Sequence, residues 1–89
     1  STEVKSAALR DFHRQVLKLG AQALEAQPIE QRSCTGATMK VDPARLPRAK
    51  EMILDFQRDL LKFLEGENPS EVYQLQVQLF SLTNRKESK

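Results

Sequence analysis

The sequence predicts an α+β fold, a two-layer α/β sandwich with the element order α-β-α-β. Two helices pack on one face of a small sheet, which dimerisation extends. Two stretches carry apolar residues three and four apart, two others carry them at every second position, and the two kinds alternate along the chain. A helix between two parallel strands makes a right-handed crossover unit. The 89 residues fit one small domain with a modest core.

The first helix is predicted over residues 2–26. Gly20 lies inside it and costs about 1 kcal/mol relative to alanine, which indicates a close helix contact. Pro28 ends the helix, because the residue before a proline is pushed out of the helical region. The apolar stripe consists of Leu9, Phe12, Val16, Leu19 and Ala23.

The first strand is predicted over residues 32–42. Ala37, Met39 and Val41 fall on one side of an extended chain, and Thr38 and Lys40 fall on the other. Small residues and Gly36 weaken the pattern, and this glycine indicates a bulge or a close backbone approach.

The second helix follows in residues 42–66 and has the strongest pattern in the chain. Asp42 before Pro43 predicts a turn or a helix N-cap, Pro47 opens the helix, and Gly66 ends it. The stripe consists of Leu46, Ala49, Ile53, Phe56, Leu60 and Phe63.

The last strand is predicted over residues 71–83. Its apolar face carries Tyr73, Leu75, Val77 and Leu79. Phe80 and Leu82 fall in register with the glutamines of the opposite face, so either a partner covers them or a bulge near Leu79 switches the register. The predicted interface is therefore the open face, which comprises Gln74, Gln76, Gln78, Phe80 and Leu82.

Two strands of this length leave long edges with unpaired backbone groups. Neither strand contains proline, and residues 71–83 contain no lysine or arginine, so little discourages pairing with another chain. We expect a homodimer joined through the sheet edge into a continuous four-stranded sheet. A monomer with hydrated edges, and extra strands from a longer parent chain, are the alternatives. The domain covers residues 1–83, and residues 84–89 form a charged tail that we expect to be disordered.

Few residues carry reactive chemistry. The net charge of +2, from 14 basic and 12 acidic residues, is too balanced for an electrostatic nucleic-acid binder. His13 and Cys34 are the only histidine and cysteine, and neither has catalytic or metal-ligand partners at a recognisable spacing. We predict no enzyme activity, no catalytic or metal-binding residue and no cofactor, and we keep His13 as a functional candidate. One cysteine and no apolar run long enough to span a bilayer predict a cytoplasmic protein.

Three stretches carry a resemblance to a known family. They are FHRQVLKLGAQAL (residues 12–24), VDPARLPRAKEMILDFQRDLL (residues 41–61) and, most specifically, VYQLQVQLFSLT (residues 72–83). Together they resemble the C-terminal domain of unknown function of an uncharacterised bacterial family of predicted helix-turn-helix transcriptional regulators. The pattern usually has proline where this chain has Ser81. The resemblance implies that the chain is a C-terminal fragment, that the DNA-binding region is absent here, and that no catalytic residue carries over.

The expected function is a non-enzymatic regulatory and dimerisation domain of a bacterial transcriptional regulator. It contacts DNA only through a domain not present here, and it has no membrane partner. The alternative is a small-molecule sensor, with a ligand between helices and sheet or at the dimer seam. A single-stranded nucleic-acid-binding module needs aromatic platforms among basic residues, and an enzyme needs partners for His13, so both are less favoured.

Overall fold

The fold is all-helical over residues 2–83, the part of the chain that this computed structural model describes. Helix α1 is Thr2–Ala26 and helix α2 is Leu46–Glu65, and single 3₁₀ turns cover Ile29–Gln31 and Pro43–Arg45. Two long segments without regular secondary structure complete the described chain, residues 32–42 and residues 71–83, and we call the latter the C-terminal segment. The predicted charged tail, residues 84–89, lies outside the described residues.

Helix α1 confirms the predicted bounds. It ends where Pro28 forbids a further helical residue, and Gln27 N still donates to Ala23 O at 3.0 Å. The chain then makes a 3₁₀ turn in which Gln31 N donates to Pro28 O at 2.9 Å. A proline therefore both stops the helix and starts the turn that redirects the chain.

Helix α2 confirms its predicted start and stop signals. The carboxylate of Asp42 accepts a hydrogen bond from Ala44 N at 3.1 Å and so caps the 3₁₀ turn that leads into the helix. Pro47 lies in the first helical turn, where no backbone donor is needed. Gly66 follows the last helical residue with φ 53° and ψ −151°, a backbone conformation that other residues rarely adopt.

The two predicted strands are wrong. Within residues 2–83 neither residues 32–42 nor residues 71–83 form a strand. A strand exists only as part of a ladder, and alternation of apolar residues specifies a covered face but not a backbone partner. Two strands alone are marginally stable in water. Since there is no ladder, a bulge near Leu79 does not arise either.

The predicted two-layer α/β sandwich is also wrong. In residues 2–83 no two Cα atoms of α1 and α2 come within 8 Å, so the helices do not pack on each other. The expectation that both helices cover one apolar sheet face therefore fails. No side chain among the described residues is buried.

The accessible surface of the chain is larger than that of a compact monomer of the same mass. The accessible surface is 9043 Å². A compact monomer of this mass has about 5,300 Å², so roughly 3,700 Å² more is exposed than such a monomer would leave. The Cα radius of gyration of 15.9 Å likewise exceeds the about 12 Å of a compact domain. The apolar stripes of both helices contribute to this excess.

Neither described helix is long and apolar enough to cross a bilayer.

The backbone at Gly66 generates a stability prediction. Gly66→Ala places a Cβ on a residue with φ 53°, so we expect a loss of about 1–2 kcal/mol from the α2 terminus. Gly36→Ala is the matched control, because Gly36 has neither positive φ nor any atom within 4 Å of the added Cβ. Urea unfolding followed by circular dichroism compares the two. Equal stability of the two variants would contradict the prediction.

Candidate interaction surface

The C-terminal segment lies against both helices. In an extended chain consecutive side chains point to opposite sides, so neighbouring residues can meet different elements. Val77 lines a cleft on α2, and the side chain of Gln76 reaches His13 of α1. Leu75 and Gln76 are half-buried, whereas the other residues of the segment are exposed. The segment is thus the described element that links two helices which do not contact each other directly.

The α2 contact is a shallow apolar cleft of about 290 Å³. It is lined by Ala49, Met52, Ile53, Phe56 and Val77. Ala49 and Ile53 are half-buried, which identifies the part of the α2 stripe that the segment covers best. Val77 therefore faces α2 across this cleft, although its own side chain is still 37% exposed. No lining side chain has a hydrogen-bonding group, so the cleft offers only apolar surface.

The α1 contact is a hydrogen bond between Gln76 and His13. Gln76 Nε2 lies 3.2 Å from His13 Nδ1. An amide nitrogen only donates, so the contact is a hydrogen bond in the imidazole tautomer whose Nδ1 accepts. The Phe12 ring packs edge-on against the imidazole, with centroids 5.8 Å apart and an interplanar angle of 62°. Both contacts restrain the orientation of the imidazole.

This arrangement supports binding better than proton transfer. A carboxamide does not exchange protons with an imidazole as a carboxylate would. The nearest acidic residue in sequence, Asp11, accepts hydrogen bonds from Arg14 Nη1 at 3.5 Å and from Gln15 Nε2 at 3.0 Å. Cys34 is a free, exposed thiol. Across residues 2–83, no three His, Cys, Asp or Glu side chains converge on a point where they could hold a metal ion.

The five predicted interface residues differ in their surroundings. Gln76 contacts His13, so the structure brings together two residues that the sequence singled out for separate reasons. Gln74 Nε2 donates to the adjacent Leu75 O at 3.3 Å. Gln78 is exposed, and Phe80 and Leu82 are 68% and 61% exposed. The open face is thus divided between one amide in contact with α1 and an apolar end that remains open.

Sequence reasoning missed two features of this surface. It did not place Val77 against the middle of α2, although the strict alternation around Val77 could have identified its side. It also assigned the α1 stripe to a core, whereas Leu9, Phe12 and Leu19 remain 57%, 51% and 64% exposed. No local signal distinguishes an apolar stripe that packs within its own chain from one that stays open.

The Gln76–His13 contact generates a prediction with an internal control. Gln76→Ala removes the bond, and we expect a shift of the His13 imidazole NMR signals and a loss of about 0.5–1 kcal/mol of stability. Gln78→Ala removes the same side chain two residues along, where no such bond exists. It should leave the imidazole signals in place. A Gln76→Ala spectrum identical to wild type at His13 would refute the contact.

Comparison with known proteins identifies one family. The family model for a domain of unknown function, DUF4423, matches residues 1–82. No curated protein and no solved structure matches the chain. The family model confirms the domain of unknown function in the resemblance, and its description names no regulator, DNA-binding region or activity. Since the match covers nearly the whole sequence, the chain belongs to the DUF4423 family.

Proposed function

We propose that this domain is a non-enzymatic regulatory and self-association module of a cytoplasmic bacterial transcriptional regulator. The observation that supports self-association most directly is the roughly 3,700 Å² of accessible surface in excess of a compact monomer. Much of it is apolar, and covering apolar surface is the main favourable term in association. A second copy is the partner, because most soluble oligomers are symmetric homo-oligomers.

The size of the excess favours an obligate dimer over a transient one. A standard interface covers about 800 Å² per partner, and obligate homodimers cover about 1,000–2,500 Å² per partner or more. Interfaces of the larger class are also the more apolar ones. The largely open α1 stripe, the exposed Phe56 and Phe63 of α2, and the apolar end at Phe80 and Leu82 fit that class.

The C-terminal segment supplies the backbone for association. Residues 72–80 make no hydrogen bond to another backbone group within the described chain. They contain no proline, lysine or arginine, so nothing in the segment blocks pairing with a second copy. We place the interface at Gln74, Gln76, Gln78, Phe80 and Leu82, with two segments pairing across a two-fold axis.

The regulatory role rests on the sequence resemblance and on the charge distribution. Three arginines of the helices each pair with a neighbouring carboxylate: Arg14 with Asp11 at 3.5 Å, Arg48 with Glu51 and Arg58 with Asp55 at 3.1 Å each. Paired arginines offer less positive potential to phosphates, so DNA contact belongs to another domain. The full-length gene product tests this: a parent protein without a helix-turn-helix region would overturn the regulator assignment.

A small-molecule sensor is the less favoured functional hypothesis. The apolar cleft around Val77 lacks what ligand pockets usually combine, apolar walls with a few placed polar groups, and the second described pocket, lined by Thr2, Glu3, Ser6 and Arg10, lacks apolar walls. The five residues that line the apolar cleft provide no such polar group. A ligand would therefore be held without groups that fix its orientation.

Self-association predicts a mass and a concentration dependence. Sedimentation equilibrium at high micromolar concentration should give twice the chain mass of 10.1 kDa. The midpoint of thermal unfolding should rise with protein concentration, because association stabilises the folded state by mass action. A monomer with a concentration-independent midpoint would end the proposal.

Pairing of the C-terminal segments predicts a strong effect of proline at a polar position. Gln78→Pro removes a backbone donor without changing the apolar face, and we expect the dimer dissociation constant to rise about tenfold or more, which corresponds to about 1.4 kcal/mol. Gln78→Ala keeps the donor and loses only an interface side chain, so its dissociation constant should rise by clearly less than that of Gln78→Pro. Equal dissociation constants for the two variants would place the interface elsewhere.

A further inference from the structure

Helix α1 presents an apolar stripe that α2 does not contact. Val16 and Ala23 are half-buried and Gln76 contacts His13 at the border of the stripe, but its other large residues are open. Its Cα atoms stay more than 8 Å from those of α2, and Leu9, Phe12 and Leu19 are more than half exposed. The spacing of the stripe alternates strictly between three and four residues. It comprises Leu9, Phe12, Val16, Leu19, Ala23 and Ala26. This is the seam pattern of helices that pack nearly parallel or antiparallel to a second helix.

The borders of the stripe carry no Asp, Glu, Lys or Arg over this span. On one side lie Ala8, Gln15 and Gln22, and on the other lie His13 and Gly20. The charged residues of the same span occupy the remaining positions of the helix: Arg10, Asp11, Arg14, Lys18 and Glu25. A second copy of α1 therefore meets no like-charge repulsion in either orientation, which is the main obstacle to self-pairing of a helix.

We propose that α1 packs antiparallel against α1 of a second copy, an inference that rests on the self-association proposed above. The register places Val16 opposite the partner's Leu19 in the central layers. Phe12 lies opposite the partner's Ala23, and Leu9 opposite the partner's Ala26. Each outer layer then pairs a large residue with an alanine, and each central layer pairs valine with leucine. The six layers therefore have similar side-chain volumes.

Parallel pairing gives uneven layers from the same residues. Each stripe position would face its own copy, so Phe12 would meet the partner's Phe12, and Ala23 and Ala26 would meet alanines. One layer would be overfilled and two would leave voids, and both faults are destabilising. The order of large and small residues along α1 thus selects the antiparallel orientation.

The glycine at position 20 independently supports antiparallel packing of α1 against a second copy. It lies within α1 and costs about 1 kcal/mol relative to alanine. A Cβ at Gly20 would meet no atom within 4 Å in its own chain, and its φ is not positive, so the fold of the single chain gives no reason for a glycine. In the antiparallel register Gly20 faces the partner's His13, and its lack of a side chain makes room for the imidazole. The same register sets Gln15 opposite the partner's Gln22, within reach of amide hydrogen bonds.

Cysteine cross-linking determines directly whether the two α1 helices pack antiparallel or parallel. All chains carry Cys34→Ser, because Cys34 is an exposed free thiol. One chain additionally carries Leu9→Cys and a second carries Ala26→Cys. In the antiparallel register these two thiols share a layer, whereas two copies of either chain hold their thiols about 25 Å apart along the axis, far beyond disulfide reach. Mixing the two chains under oxidising conditions should give the covalent dimer, and either chain alone should not.

Each other outcome would contradict one specific claim: the antiparallel orientation, the position of the interface on α1, or self-association itself. Cross-linking of each chain with itself would show a parallel seam. A dimer by sedimentation that gives no cross-link in any mixture would place the interface away from α1 and leave the proposed self-association intact. A monomer by sedimentation would remove both proposals together. Circular dichroism of each variant checks that α1 is still helical.

A second pair of variants tests the seam without engineered thiols. Leu19→Asp puts a charge into a central layer, and we expect the dimer dissociation constant to rise at least about tenfold. Leu24→Asp puts the same charge on an exposed leucine of α1 outside the stripe and should change the constant by less than about threefold. Similar constants for the two variants would exclude the α1 seam.

Discussion

Burial of apolar side chains is the constraint on which this structure depends, and within residues 2–83 the chain does not meet it alone. Both helices have the stripes of core-forming helices, yet no described side chain is buried. A folded chain needs such burial to offset the conformational entropy lost on ordering its backbone. The open apolar residues, the excess surface and the absence of backbone partners for residues 72–80 have the same cause, which is too little burial within the described chain, and the proposed self-association would supply it.

The reliable predictions came from signals that act over a few residues. Pro28 stops α1 and Gly66 ends α2 by steric restrictions on the local backbone, and the carboxylate of Asp42 caps a turn two residues away. These effects do not depend on what the rest of the chain does. The bounds of both helices could therefore be read from the sequence.

Strands and interhelical packing lack such local determinants. Alternation in residues 71–83 indicates a covered side, and Val77 does line a cleft with α2, but a ladder needs a second backbone at a particular distance. The periodicity of an apolar stripe likewise does not identify the surface against which the helix packs. The predicted sandwich was therefore wrong although its two helices were correct. The candidate site shows the same limit, because His13 and Gln76 are 63 residues apart in sequence and no local pattern relates them.

The opposite directions of Gln76 and Val77 restrict how the chain length between α2 and the C-terminal segment can vary. Shifting the segment by one residue would put an amide into the apolar cleft and an aliphatic side chain against the imidazole. A shift of two residues would restore the polarity on both sides. The alternation therefore restricts the segment to registers two residues apart, and insertions between Gly66 and Leu75 must be accommodated within that connection rather than by sliding the segment.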